Sequence, residues 1–324
     1  MNSFLLVTCM IFLLACACIA HDPIGKTIVV DYKGGADFTT IQSAVNSVPT
    51  TNKIWTKILV KEGTYIEKVK IEQPFIVLQG EGSTKTIIQW GESGGNVSED
   101  VTFTLAYTTN FVAAYIGFKN TYNLGAQKNE VKQAPAAAIY GNKASFYHCS
   151  FIGVQDTLSD LAGQHYFKNC YIEGAVDFIW GFAPSIYQEC ILNVKTTLTK
   201  GEGFITAQGK KSVEEQSGFV FLSCSIQGEG LVYLGRAYRQ YSTVIFKDTS
   251  MANIIQPLGW DAWENKGKES SFTYSEVNCN GLGANLSQRV DWMKKDLPPE
   301  ILNPLIDINV FINRDRWIEQ QPQV

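Results

Sequence analysis

The chain has 324 residues and a formal net charge of −4, from 27 Lys and Arg against 31 Asp and Glu. A hydrophobic fraction of 45% excludes a disordered chain, and 27 Gly with 10 Pro exclude a collagen-like or low-complexity one. An acidic balance with no basic block excludes a duplex nucleic-acid binder.

The first element in chain order is the uncharged run FLLVTCMIFLLACACIA, from Phe4 to Ala20, closed by His21-Asp22-Pro23. Its length and the small residues before Ala20 read as a secretory signal peptide, while a bilayer span would need a longer run. The n-region carries no Lys or Arg and relies on the amino terminus for positive charge. The expected plan is therefore a signal at 1–20 and one exported domain at 21–324, with no membrane partner. Of eight cysteines, Cys9, Cys16 and Cys18 leave with the signal, and Cys149, Cys170, Cys190, Cys224 and Cys279 stay. Export also makes two Asn-x-Ser sequons, at Asn96 and Asn285, candidate glycosylation sites.

Next comes the one short helical pattern, FTTIQSAVNSVP (Phe38–Pro49), with Ile41, Ala44, Val45 and Val48 on one face. From there to about Met251 the chain is a series of short β-rich runs punctuated by Gly, Asn and Asp. The frame aromatic-x-x-Cys-x-apolar recurs at Phe146/Cys149/Phe151, Phe167/Cys170/Ile172, Tyr187/Cys190/Leu192 and Phe221/Cys224/Ile226. Ile116/Phe118 and Thr249/Met251 fit it without cysteine, so the frames return after 33, 21, 20, 34 and 25 residues. Irregular returns of one strand each predict a parallel β-helix, with the short helix capping the exposed end of the stack. A β-sandwich is the alternative, but hairpin turn signals are scarce.

The repeat carries a chemical consequence. Asp156 follows Cys149 by seven residues and Asp177 follows Cys170 by seven, so stacking in register sets the two aspartates about 5 Å apart. Their pKa values should separate, leaving one an acid and the other a nucleophile or base. Arg236, in LVYLGRAYR, is the candidate that decides which is which. As lone residues, Asp156 and Asp177 would read as turn formers at strand ends. The same stacking makes Cys149 and Cys170 neighbours and candidates for a disulfide, with Cys190–Cys224 the remaining frame pair and Cys279 free.

Gln133 and Gln155 are amides able to donate to an oxyanion, although either alone reads as ordinary strand or loop polarity. Tyr65, Trp180, Tyr238, Trp260 and Trp263 could stack on sugar rings, against a general expectation of core packing for most aromatics. Three histidines (His21, His148, His165) and the absence of CxxC leave no expected metal site. There is no dinucleotide or P-loop fingerprint and no Gly-x-Ser-x-Gly elbow.

Taken together, DYKGGADFTTIQSAV, GTYIEKV, QAPAA, GVQDTL, VDFIWG, LGRAY, PLGWDAW, GLGAN and FINRDRW resemble the plant-type pectinesterase (pectin methylesterase) family over nearly the whole chain after the signal. The resemblance implies an all-β, right-handed parallel β-helix with a short N-terminal capping helix and an irregular C-terminal segment, without an inhibitor-like pro-region. It implies that Asp177 attacks the methyl-ester carbonyl of a galacturonate unit, while Asp156 protonates departing methanol and then activates water. Gln133 and Gln155 would form the oxyanion hole, Arg236 would orient Asp177, and Tyr65, Trp180 and Tyr238 would join Gln133 and Arg236 in binding substrate. No cofactor is required. The implied partners are methyl-esterified homogalacturonan and a proteinaceous inhibitor, for a monomer secreted to the extracellular cell wall.

Three positions depart from the family pattern: Tyr238 stands where tryptophan is commoner, Trp180 where phenylalanine is usual, and Ala137 where QAPAA would end in leucine. They bear on subsite preference, since the five polar residues of the proposed machinery are all present. Two competing readings remain: a retaining glycosidase, whose carboxylates stand at a similar spacing, and a non-catalytic polysaccharide binder. A β-helical lyase fits less well, with no calcium cluster in the sequence. The net charge predicts only weak retention on de-esterified pectin unless a local basic patch overrides it.

Overall fold

The computed structural model describes residues 23–93, 100–125, 130–199 and 201–324; the leader 1–20 and the sequon asparagine Asn96 lie outside the described residues. Three parallel sheets, of ten, eight and eight strands, account for most of the structure. The chain visits them in a fixed order, here A, B and C, so that among the described residues it completes eight turns of a right-handed parallel β-helix. Most strands are three to six residues long, and Val, Ile, Phe and Tyr at alternate positions fill the lumen.

The repeating frame is the register of sheets A and B. Phe146 pairs with Phe167, Phe167 with Tyr187, Tyr187 with Phe221 and Phe221 with Phe246. Their rings stack in that order, centroids 4.8, 4.6, 4.7 and 4.4 Å apart and nearly parallel. Between sheets A and B the chain turns through one left-handed residue per coil. Tyr115, His148, Asn169, Glu189, Ser223, Asp248 and Asn278 all have φ between 51 and 55°. Each immediately precedes Ile116, Cys149, Cys170, Cys190, Cys224, Thr249 or Cys279, which is why the cysteine recurs at that place in the frame.

The expected disulfides are not formed. All five cysteines among the described residues, including the pairs Cys149–Cys170 and Cys190–Cys224, carry free thiols. In-register parallel strands hold equivalent side chains side by side at about 4.8 Å, whereas a bridge brings the Cβ atoms to about 3.8 Å. Each thiol instead donates to backbone: Cys170 to Phe146 O at 3.4 Å, Cys190 to Phe167 O at 3.6 Å and Cys224 to Tyr187 O at 3.3 Å. Burial holds the thiols of Cys170, Cys190 and Cys224 well above the usual range, so thiolate is scarce. Titration of residues 21–324 with a thiol reagent should find five thiols after unfolding. In the native protein, reaction should be confined to Cys279, the least buried of the five.

The ends of the stack are closed differently. At the amino end the helix Ile41–Asn46 lays Ile41, Ala44 and Val45 on the lumen, with the Thr40 hydroxyl accepting from the Ser43 amide at 3.3 Å as its N-cap. At the carboxyl end Glu276 and Arg289 form a buried two-point ion pair, at 2.8 and 3.1 Å, that also takes the Trp260 indole N–H at 3.1 Å. Trp260 is thereby a closing residue of the core and not a sugar platform. The C-terminal segment contains two short helices, Pro299–Ile306 and Ile308–Phe311. With Ile312 and Trp317 it covers the outer apolar column Tyr166, Ile186, Val220 and Ile245 of sheet A.

Candidate active site

Sheet C carries the polar chemistry, and its register decides which side chains meet. A bridge joins Gln155 to Val176, and Leu158 pairs with Ile179, so Asp156 and Asp177 hold equivalent places on adjacent coils. Both adopt left-handed backbone, with φ of 58° and 48°, a conformation that aspartate tolerates better than most residues. The turn before Asp177 is tight: a Cβ on Gly174 would fall 2.2 Å from that of Phe178. The two carboxylates are only 3% and 6% exposed.

Arg236 reaches Asp177 from two strands away, with the small Ala207 as its register partner on the intervening strand. Its Nε donates to Asp177 Oδ1 at 2.8 Å and its Nη2 donates to Oδ2, a fork that fixes the carboxylate plane. The guanidinium lies between the Phe204 ring, at 4.6 Å, and the Trp263 ring, at 4.1 Å. Asp261 holds Trp263 there by accepting its backbone N–H at 2.9 Å.

Electrostatics separates the pair. Burial pushes the Asp156 carboxyl well above the ordinary carboxylate range, the Asp177 charge adds to the rise, and Arg236 offsets part of it. Burial also raises Asp177, but its hydrogen bonds to Arg236 oppose the rise directly. The arrangement favours a protonated Asp156 beside an ionised Asp177.

Of the amides, Gln155 is half-buried next to Asp156, and the Ala134 amide donates to the Gln155 carbonyl at 3.2 Å. That contact brings the exposed Gln133 to the neighbouring coil on the Asp156 side. Trp180 and Tyr238 are 5.9 Å apart at the groove, and the Trp180 indole N–H donates to Ser159 Oγ at 2.8 Å. Tyr65 does not join them. It is 3% exposed on sheet B, with its hydroxyl donating to Lys61 O at 3.0 Å, and the apolar lumen claims its ring.

Sequence reasoning overlooked Phe204, Phe182 and Ser159 as parts of the site and set Trp263 among the general aromatics. The sheet C register, which aligns Ser159, Trp180, Ala207, Arg236 and Asp261 in one column, is the signal for Ser159, whereas Phe204, Phe182 and Trp263 enter through ring contacts with Arg236, Trp180 and Tyr238. Among the described residues no cluster of three or more His, Cys, Asp or Glu could hold a metal ion.

An aromatic groove over paired, unequal carboxylates is the kind of site a polysaccharide-processing hydrolase needs. The sequence model described as Pectinesterase matches residues 27–299. Probable pectinesterase 29 of Arabidopsis thaliana is 43% identical over 95% of this chain and 96% of its own length, and probable pectinesterase 55 of the same plant is also 43% identical, with the same coverage. The solved pectin methylesterase from carrot superposes with a TM-score of 0.82 at 27% identity, covering 90% of this chain and 95% of that one. The chain belongs to the pectinesterase family. It is a carboxylic ester hydrolase that removes methyl esters from pectin, so the alternative classes, glycosidase and non-catalytic binder, fall away.

Proposed function

We propose that Asp177 is the nucleophile and Asp156 the acid and base of this esterase. The carrying observation is the two-point hold of Arg236 on Asp177 beside a second carboxyl driven toward its neutral form. One Asp177 oxygen attacks the ester carbonyl carbon, and the amide N–H groups of Gln133 and Gln155 donate to the resulting oxyanion. As the tetrahedral species collapses, the C–O bond to methoxide breaks and Asp156 gives its proton to it, releasing methanol. The acyl group is left on Asp177 as an anhydride. Asp156, now ionised, takes a proton from water as that water attacks the acyl carbon, which frees Asp177 and the galacturonate carboxyl group. Trp180 and Tyr238 bind the polymer, and the Tyr238 hydroxyl, where the family more often has an indole, alters the neighbouring subsite.

The experiment is methanol release from highly methylated pectin, followed together with chain length. Methanol with no new reducing ends is expected. Equal methanol release from wild type and D177N, or reducing ends without methanol, would overturn the assignment.

We infer further that residues 1–20 direct export and that 21–324 work as a single secreted, monomeric unit in the cell wall. A proteinaceous pectinesterase inhibitor is the protein partner that this reading assigns to the exposed groove. Asn285 is exposed, with Oδ1 accepting the Ser287 amide at 3.0 Å, and is open to glycosylation. Among the described residues no helix is long and apolar enough to cross a membrane.

A further inference from the structure

A polar chain runs through the lumen behind sheet C and takes no part in the ester chemistry. On the strand Leu158–Asp160 the Ser159 hydroxyl turns outward to accept the Trp180 indole N–H, and the next residue, Asp160, turns inward. Asp160, His165 and Tyr187 are all fully buried. Asp160 Oδ1 bonds His165 Nδ1, its Oδ2 accepts the Tyr187 hydroxyl at 2.6 Å, and His165 Nε2 donates to Gly141 O at 2.7 Å. A carbonyl oxygen can only accept, so Nε2 carries a hydrogen. Nδ1 then either donates to an Asp160 carboxylate or accepts from its carboxyl group. In both cases the pair is neutral overall and every contact is made.

The chain interrupts columns that are apolar on the coils before it. Ile71, Leu105 and Ile139 precede Asp160 in sheet C, and Phe111 and Ala144 precede His165 in sheet A. The change to polar residues falls on the two coils that bear Asp156 and Asp177. Apolar side chains would fill this space without the cost of burying charge, so stability alone does not account for it.

The geometry gives the chain another task. The Asp160 carbonyl accepts the Phe182 and Ala183 amides at 2.9 and 3.2 Å, and a Cβ on Gly181 would lie 1.9 Å from that oxygen. Three successive corners between sheets C and A are thereby tied together. Gly141 lies in the first, Asp160 and His165 flank the second, and Tyr187 stands on the strand Pro184–Gln188 that follows the third. The third corner carries Phe182, which meets Trp180 edge to face at 5.9 Å and lies 6.0 Å from Tyr238.

We propose that Asp160 and His165 are positioning residues that hold the corner 182–183, and through Phe182 the ring wall formed with Trp180 and Tyr238, in the geometry that receives the polymer. The proposal rests on the esterase reading and extends it to two residues that never touch substrate. Asp156 and Asp177 are kept in place by other contacts, the Gln155–Val176 bridge and the Asp156 amide donating to Val176 O at 3.1 Å. Loss of the chain should therefore fall on polymer binding and spare the chemical step.

The test measures kcat and KM for methanol release from highly methylated pectin, with a thermal melt of each protein. In D160L/H165F/Y187F apolar groups replace every side chain of the network, which leaves none of them buried without a partner. KM should rise about tenfold while kcat stays within about threefold. D160N supplies the rescue: its amide donates to His165 Nδ1, its Oδ1 accepts the Tyr187 hydroxyl, and KM should return to within about twofold of wild type. H165Q can reach only one of Asp160 and Gly141, so its KM should be intermediate whether or not the triple variant folds. A wild-type KM in the folded triple variant or in H165Q, a fall in kcat larger than the rise in KM, or a D160N KM as high as that of the triple variant would overturn the proposal. Wild-type protein that releases no methanol would instead defeat the esterase reading.

Discussion

Replacing Asp177 with Asn should lower methanol release by on the order of 10⁴-fold or more, the scale seen when a covalent nucleophile is removed. The amide nitrogen has no lone pair suited to attack, and an uncharged Oδ1 is a poor nucleophile even when Arg236 holds it in place. The substitution also has a structural signature. Arg236 would keep one of its two hydrogen bonds and lose the charge that balances it, while remaining between Phe204 and Trp263. The variant should therefore be folded, no more stable than wild type, and still able to bind pectin. A parallel thermal melt and a binding isotherm separate this outcome from simple unfolding. Activity within tenfold of wild type would mean that another group attacks the ester.

Replacing Asp156 with Asn should act in opposite directions on rate and stability. Loss of the group that protonates methanol and activates water should cost roughly 10²–10⁴-fold in rate. Stability should move the other way. Because burial raises the Asp156 carboxyl in the folded protein, the folded state holds a proton there that the unfolded chain has released above about pH 4. Stability is thus fully present below the unfolded value and falls as pH rises toward the folded one. Asn carries no such penalty, so the melting temperature of D156N should exceed that of wild type at pH 7 by a few degrees. The two proteins should converge near pH 3, where both states are protonated. A lower melting temperature for D156N at neutral pH would contradict the electrostatic picture. In the wild type the proposed roles predict the rate profile: activity should fall on the acid side as Asp177 gains a proton and on the alkaline side as Asp156 loses one. Both limbs should be displaced upward, the Asp156 limb further, because burial raises both groups and Arg236 opposes the rise most directly at Asp177.

The repeat, the register and the carboxylate pair were legible because they share one cause. A frame that fixes Phe146 over Phe167 also fixes Asp156 over Asp177, and five returns of the frame in sequence match the pairing register residue for residue. Tyr65 was misplaced because an alternating strand does not announce which of its faces is wet. On its own strand, Gly63–Ile66, the apolar Ile66 faces solvent while the Tyr65 ring faces the lumen. The disulfides failed on a finer scale: stacking predicts adjacency, and adjacency in a parallel ladder falls about 1 Å short of the geometry a bridge needs. Phe204 and Phe182 stayed hidden because they join the site through ring contacts with Arg236 and Tyr238 on other coils, and no short motif spans those coils.

The left-handed corner between sheets A and B has the same two-residue length in seven successive coils, whereas coil length varies from 20 to 34 residues among them. The surplus therefore collects on the two flanks of sheet C, in stretches such as 121–136 and 209–217. The gap between Asp177 and Asp156 behaves as a lattice constant, set by backbone stacking and indifferent to what is inserted beside it. Such a scaffold lets the walls of the groove be rebuilt, in length and in charge, while the distance on which the chemistry depends stays out of reach of the change.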